Sequence, residues 1–189
     1  MKKGIYIGSF NPPHKGHIHI VNYLLDNKVV NQILIVPTGS YWNKQELADI
    51  KDRINMLKLY ETENIKIDST NNNYPYTYEL MRALSKQYPN DTLYLILGAD
   101  NIVSFNKWKN YEELLQYPII IMNRGNINIR EYTDNYPQGN FIILDDFIPI
   151  DISSTEIRNN ISSSLLDKKV LRYIRKNNLY ISKKEGNLW

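Results

Sequence analysis

"GIYIGSFNPPHKGHIHIVNYLL", residues 4–25, decides how the chain is read. Its opening, "GIYIGS" (4–9), is a short β-branched and aromatic run of the kind that fills a buried strand. Its end places Ile18, Val21, Leu24 and Leu25 on one face of a helix. Between them stands a corner, "GSFNPPHKGH" (8–17), with two prolines, two glycines and His14 and His17 three apart. Proline ends strands and histidine adds little to packing, so folding alone does not ask for this combination.

The strand-then-helix pattern recurs. Apolar runs "QILIVP" (32–37), "IKID" (65–68), "LYLILG" (93–98), "PIIIMN" (118–123) and "FIILDD" (141–146) read as parallel strands covered on both faces. Helical stripes lie between them: Leu47, Ile50, Ile54 and Leu57; then Leu80, Ala83 and Leu84; then Tyr111, Leu114 and Leu115. Late in the chain, Ser153-x-x-Glu156 has capping-box spacing, and a last helix is expected from about Asp167 to Asn177. The stretches "STNNNYPYT" (69–77) and "RGNINIREYTDNYPQGN" (124–140) read as loops. The expectation is an α/β fold, doubly wound and mainly parallel, in a single domain over 1–189. A small C-terminal helical part begins near residue 150.

Composition narrows the function classes. A chain of 189 residues with 42% hydrophobic and 23% charged residues can bury a sizeable core as a soluble globular protein. It has no cysteine, which removes thiol and disulfide chemistry and makes a cytoplasmic location the default expectation. No run approaches the roughly 18 apolar residues that cross a membrane. "MKKGIYIGSF" breaks at Asn11-Pro12, too early for a signal peptide. A net charge of +3 does not call for nucleic acid. The late basic stretch "KKVLRYIRKNNLYISKK" reads as a solvated helix face and tail.

In a doubly wound fold, ligands bind beyond the carboxyl ends of the strands, where the chain turns into a helix. The corner sits at such an end. Gly8 allows a ligand close to the backbone, and the helix start offers free N–H groups to an anion. The glycines do not follow G-x-G-x-x-G, and no G-K-(S/T) loop is present, so phosphate is bound by another design.

Residues 8–17 resemble the H-x-G-H signature of the nucleotidyltransferase superfamily. "ISSTEIR" (152–158) is similar to its second motif and falls late, after the last strands. "LGADNIVSFNKWKNYEELL" resembles the G-x-D…W segment of nicotinate-mononucleotide adenylyltransferases. "RINMLKL", "YPYTYELMRAL", the "NRG" after the fifth strand and "VLRYIRKNNLY" match that family too, so the resemblance covers nearly the whole chain.

The resemblance implies adenylyl transfer from ATP to nicotinate mononucleotide in NAD biosynthesis, with Mg²⁺ carried by phosphates and water. It assigns the catalytic His17 and His14 to the α-phosphate and the transferring phosphoryl group, and Arg158 to the β and γ phosphates. Gly8, Ser9, Phe10, Lys44, Gly98, Asp100, Ser154 and Thr155 would hold ATP. Thr77, Trp108, Lys109 and Arg124 would hold the mononucleotide, with Trp108 stacked on the pyridine ring. It implies small-molecule substrates without nucleic acid or membrane, and a possible homodimer. The bland alternatives are local: Asp100 or Thr77 as helix caps, Trp108 as core, Arg124 as a surface residue, Lys109 in water. Arg53 is given a structural role, and His19 a structural or surface one.

Two departures stand out. "PTGSYWNKQ" replaces the family's P-P-H-(K/R) stretch after the second strand, and G-S-F-N-P replaces G-G-T-F-D-P, a variant that resembles members accepting both acid and amide substrates. Rival readings are a phosphopantetheine adenylyltransferase, a cytidylyltransferase and a non-catalytic nucleotide-binding relative. The first would lack "GADN…W", the second would carry R-T-x-G-(I/V)-S-T, and the third has no need of His14, His17 and Arg158.

Overall fold

The computed structural model describes residues 1–39, 47–123, 126–159, 161 and 164–180. Six strands, β1 (Lys2–Gly8), β2 (Gln32–Pro37), β3 (Ile65–Ile67), β4 (Thr92–Gly98), β5 (Ile119–Met122) and β6 (Phe141–Leu144), form one sheet. Its order is β3-β2-β1-β4-β5-β6, and every neighbouring pair is parallel. The helices are α1 (Lys15–Asp26), α2 (Ile50–Lys58), α3 (Thr77–Gln87), α4 (Ala99–Ile102), α5 (Tyr111–Leu114), α6 (Ile129–Thr133), α7 (Ser154–Asn159) and α8 (Lys168–Lys176). This is the doubly wound, Rossmann-like arrangement expected from the alternating pattern, and each expected strand is present.

The strands alternate between two cores because successive side chains point to opposite faces. Leu93, Leu95 and Leu97 join Ile119 and Ile121 beneath α3, α4 and α5. Ile96, Ile120 and Met122 join Val21 and Leu24 of α1 and Ile54 and Leu57 of α2 on the other face. Residues such as Leu95 and Ile120 are fully buried, each contributing about 1.5–3 kcal/mol. The core therefore sets where the strand ends lie. A third cluster packs α7 and α8 against the outer side of α2, through Met56, Tyr60, Ile157, Val170 and Ile174.

Two sequence expectations are corrected. The stripe assigned to the second helix included Leu47, but α2 begins at Ile50. The Asp49 carboxylate caps it, accepting the Lys51 N–H at 2.8 Å. Residues 124–140 were expected to be loop, yet α6 lies within them. Ile129, Thr133 and Tyr136 are buried there. With Tyr132 they follow the i, i+3, i+4, i+7 spacing of a helix face. The surrounding Asn, Asp, Pro and Gly residues masked that period.

Candidate active site

The chain reverses strand order between β1 and β4, which pair at the centre of the sheet. Such a reversal opens a crevice past the strand ends. A cavity of about 390 Å³ lies there, within the usual range for small-ligand sites. Its walls come from Tyr6 through Phe10, from His14, Gly16 and His17, from Gly98, Asp100 and Asn101, and from Thr77, Trp108 and Asn123. The segment Phe147–Ser154 closes one side.

The corner after β1 is tightly packed. Phe10 has a positive φ of 45° and is 1% exposed. Its ring is 4.9 Å from that of His17. A Cβ on Gly8 would meet the Phe10 ring at 3.1 Å, so glycine lets that ring settle over the strand end without having to shift. His14 is buried, and its ring stacks on His17 with centroids 3.6 Å apart. The His14 backbone N–H donates to His17 Nδ1 at 3.2 Å. That bond makes Nδ1 the acceptor and leaves Nε2 as the N–H donor of the neutral ring. One imidazole donor is thereby oriented by the backbone at the start of α1.

The late motif closes directly on this corner. Ser154 Oγ donates to the Pro12 carbonyl at 3.1 Å. Arg158 Nη1 donates to the Asn11 carbonyl at 2.9 Å, and Nη2 to Thr155 Oγ1 at 3.2 Å. Ser153 is the residue that caps α7, accepting the Glu156 N–H at 3.1 Å, as its spacing suggested. Ser153 and Ser154 line the cavity, whereas Thr155 and Arg158 stand behind the rim.

The opposite end is aromatic. Trp108 is half-buried, 5.7 Å from the Phe105 ring, and faces the cavity. Phe105 in turn meets Tyr111 and Tyr136 edge-on at 5.7 and 5.5 Å. The Lys109 ammonium sits 4.4 Å from the centre of the Tyr76 ring, a cation–π contact. It is thus neither loose in water nor part of the cavity wall.

Residues 5–160 match the family described as cytidylyltransferase-like. The chain is also 34% identical to a protein of Acholeplasma laidlawii named "Probable nicotinate-nucleotide adenylyltransferase", over 93% of this chain and 96% of that one. The chain belongs to the nicotinate-nucleotide adenylyltransferases. A Flavobacterium johnsoniae protein of the same name is 32% identical over 95% of this chain and 99% of its own. Plasmodium falciparum nicotinic acid mononucleotide adenylyltransferase complexed with NaAD superposes with a TM-score of 0.78 at 25% identity, covering 95% of this chain and 98% of that one. The same enzyme complexed with APC gives 0.76 at 25% identity, over 95% and 96% of the two chains.

Nicotinate-nucleotide adenylyltransferase membership makes the placement of each expected residue informative. Gly8, Ser9, Phe10, His14, His17, Thr77, Gly98, Asp100, Trp108 and Ser154 all meet at the cavity. Asp100 does not cap its helix: Gly98 is the cap, and Asp100 lies in the first turn of α4. A Cβ on Gly98 would come within 2.6 Å of Asp100 Oδ1, so the glycine makes room for that carboxylate. Thr77 is likewise the first residue inside α3, after Tyr76 as cap. Lys44 and Arg124 lie outside the described residues.

Sequence reading passed over Asn101, Asn123 and the Phe147–Ile152 wall. Asn101 stands beside Asp100 in "GADN", Asn123 opens the "NRG" after the fifth strand and Ile152 opens "ISSTEIR", but the wall from Phe147 to Ile150 had no local signal. His19 takes a structural role: its Nε2–H donates to the Ile148 carbonyl at 2.9 Å, and its ring lies 5.1 Å from Phe147. It holds the wall without touching the cavity. Asn11, part of the departure in G-S-F-N-P, is not in the wall either; its side-chain oxygen accepts from Ala48 N–H and from the Tyr180 hydroxyl.

Proposed function

We propose that the chain transfers the adenylyl group of ATP to nicotinate mononucleotide, forming nicotinate adenine dinucleotide and pyrophosphate. The observation that carries this reading is the closure of the two motifs: Ser154 and Arg158 bond to the carbonyls of Pro12 and Asn11, beside the stacked His14 and His17. The groups assigned to phosphate thereby lie side by side, His14, His17 and Ser154 in the cavity wall and Arg158 behind it, with an aromatic floor across the cavity.

In the reaction, a 5′-phosphate oxygen of the mononucleotide attacks the α-phosphorus of ATP in line. The bond from that phosphorus to the bridging oxygen breaks, and its electron pair leaves with pyrophosphate. Such transfers depend on positioning and charge stabilisation. His17 Nε2–H donates to an α-phosphate oxygen, where charge gathers in the transition state. His14, stacked beneath it, supports the same group. Arg158 and the Ser154–Thr155 turn take the β and γ phosphates, since a guanidinium suits bidentate phosphate contact. Asp100 accepts from ribose hydroxyls, and Trp108 and Thr77 receive the pyridine ring.

Among the described residues no group of three or more His, Cys, Asp or Glu is placed to hold a metal ion. We assign Mg²⁺ to the ATP phosphates and water, where it would supply charge neutralisation. Among those residues, too, no helix is long and apolar enough to cross a membrane. A cytoplasmic location, a single domain and a homodimer belong to the same proposal; light scattering tests the last.

The deciding experiment is pyrophosphate release from ATP with nicotinate mononucleotide, its amide, or phosphopantetheine as acceptor. Turnover with the acid form is expected. Turnover with phosphopantetheine alone overturns the reading.

A further inference from the structure

Two family-like stretches, "RINMLKL" and "RKNNLY", supply none of the cavity wall, yet each sends one residue, Arg53 and Tyr180, to the corner that carries His14 and His17. We propose that Arg53 and Tyr180 are positioning residues for adenylyl transfer, acting through Ser9 and Asn11. This inference rests on the function proposed above.

The Arg53 side chain is 0% exposed. Its Nη1 donates to the carbonyls of Ser9 and Thr38, each at 2.8 Å, and its Nε to that of Ala48 at 3.0 Å. Burial lowers the Arg53 pKa, and three carbonyl oxygens offset that desolvation by hydrogen-bonding the charged form. One guanidinium thus ties the loop after β1 to the end of β2 and the entry to α2.

Tyr180 comes from the opposite end of the chain. Just beyond α8, it adopts a left-handed backbone with φ of 61°, uncommon for a bulky residue. Its hydroxyl donates to Asn11 Oδ1 at 2.7 Å, and that oxygen also accepts the Ala48 N–H at 2.9 Å. Burial raises the Tyr180 pKa against the opposing charges of Arg53 and Arg158, so the phenol stays protonated and donating.

The Ala48 peptide is held from both sides, by Arg53 on its oxygen and by Asn11 on its N–H. The Asn11 carbonyl is meanwhile the seat of Arg158. Asn11 therefore sits between the late motif, the α2 entry and the C-terminal segment, three residues before His14. Displacing it shifts His14, His17 and Arg158 together. Displacements of about 1 Å at such a site cost up to roughly a hundredfold in rate.

The test uses the full chain, with Tyr180→Phe, which removes only the hydroxyl, Asn11→Ala, and the double variant. Expected for Tyr180→Phe is a fall in kcat of about tenfold, with KM for ATP and for the mononucleotide within about twofold and an unchanged far-UV circular dichroism spectrum. If Tyr180 acts through Asn11, the double variant is no slower than Asn11→Ala alone. Arg53→Lys, keeping the charge but not the planar fork, is expected to lower kcat further. Unchanged kcat in Tyr180→Phe, a change confined to KM, or losses that multiply in the double variant overturn the proposal. The unaltered chain is the control: its failure to release pyrophosphate sinks the function itself, and the inference with it.

Discussion

The two ends of the cavity are built on different principles. At the phosphate end, the parts are joined by directed hydrogen bonds: Ser154 to Pro12, Arg158 to Asn11, Arg53 to Ser9, His14 to His17. At the aromatic end, Trp108 rests on Phe105, which rests on Tyr111 and Tyr136. Hydrogen bonds are short-ranged and angular, so the first end holds its groups to a narrow geometry. Ring packing is broad and non-directional by comparison, so the second end offers a surface more than a position. Damage to the first is expected in kcat, and damage to the second in KM.

The largest test of that contrast is His17→Ala. Losing one preorganised donor to a transition-state oxyanion lowers kcat by roughly 10²–10³, and steady-state kinetics on a variant with unchanged circular dichroism measures it. Near-normal turnover would remove His17 from the chemistry and blur the distinction between the ends.

Arg158→Ala comes next. A hydrogen bond to a charged group contributes about 1.5–3 kcal/mol, so kcat/KM for ATP should fall between roughly tenfold and a hundredfold. An effect seen only in the mononucleotide KM would move Arg158 to the other substrate.

Trp108→Ala probes the aromatic end. Loss of a stacked face beneath a pyridinium costs on the order of 0.5–2 kcal/mol. The mononucleotide KM should rise several-fold while the ATP KM and kcat stay close to their starting values. A collapse of kcat would show this end to be as exacting as the other.

The smallest effect is expected from Lys109→Ala. Its ammonium sits over Tyr76 on an exposed residue, and exposed charges contribute at most about 1 kcal/mol. The ratio of kcat/KM for nicotinate mononucleotide over its amide should therefore change by no more than about fivefold. An unchanged ratio leaves acid selection with the backbone, and a larger drop gives the charge a direct role.

Much of this molecule was legible from local pattern. Six strands and the main helices follow from side-chain period and punctuation, because each element's buried face is written within its own few residues. The corner was legible for the same reason: "GSFNPPHKGH" brings strand end, turn and histidines together in ten consecutive residues. Ser153 announced its capping role by spacing alone. Where local signals conflicted, as around Ile129 and Tyr136, turn-forming neighbours hid a helix.

What tertiary structure decided is which side chains serve that corner. Arg53 reads from sequence as a charge on an amphipathic helix, but its head meets Ser9 across 44 positions of chain. Tyr180 and Asn11 are 169 positions apart, and Ser154 and Pro12 are 142 apart. His19 reads as a structural or surface residue, and the fold gives it the Ile148 carbonyl as partner. No periodicity records such pairs, because each depends on how the sheet and helices pack before the side chains can meet. The sequence by itself determined the layers and the chemistry available at the strand end; packing alone determined the hydrogen bonds that hold that chemistry in place.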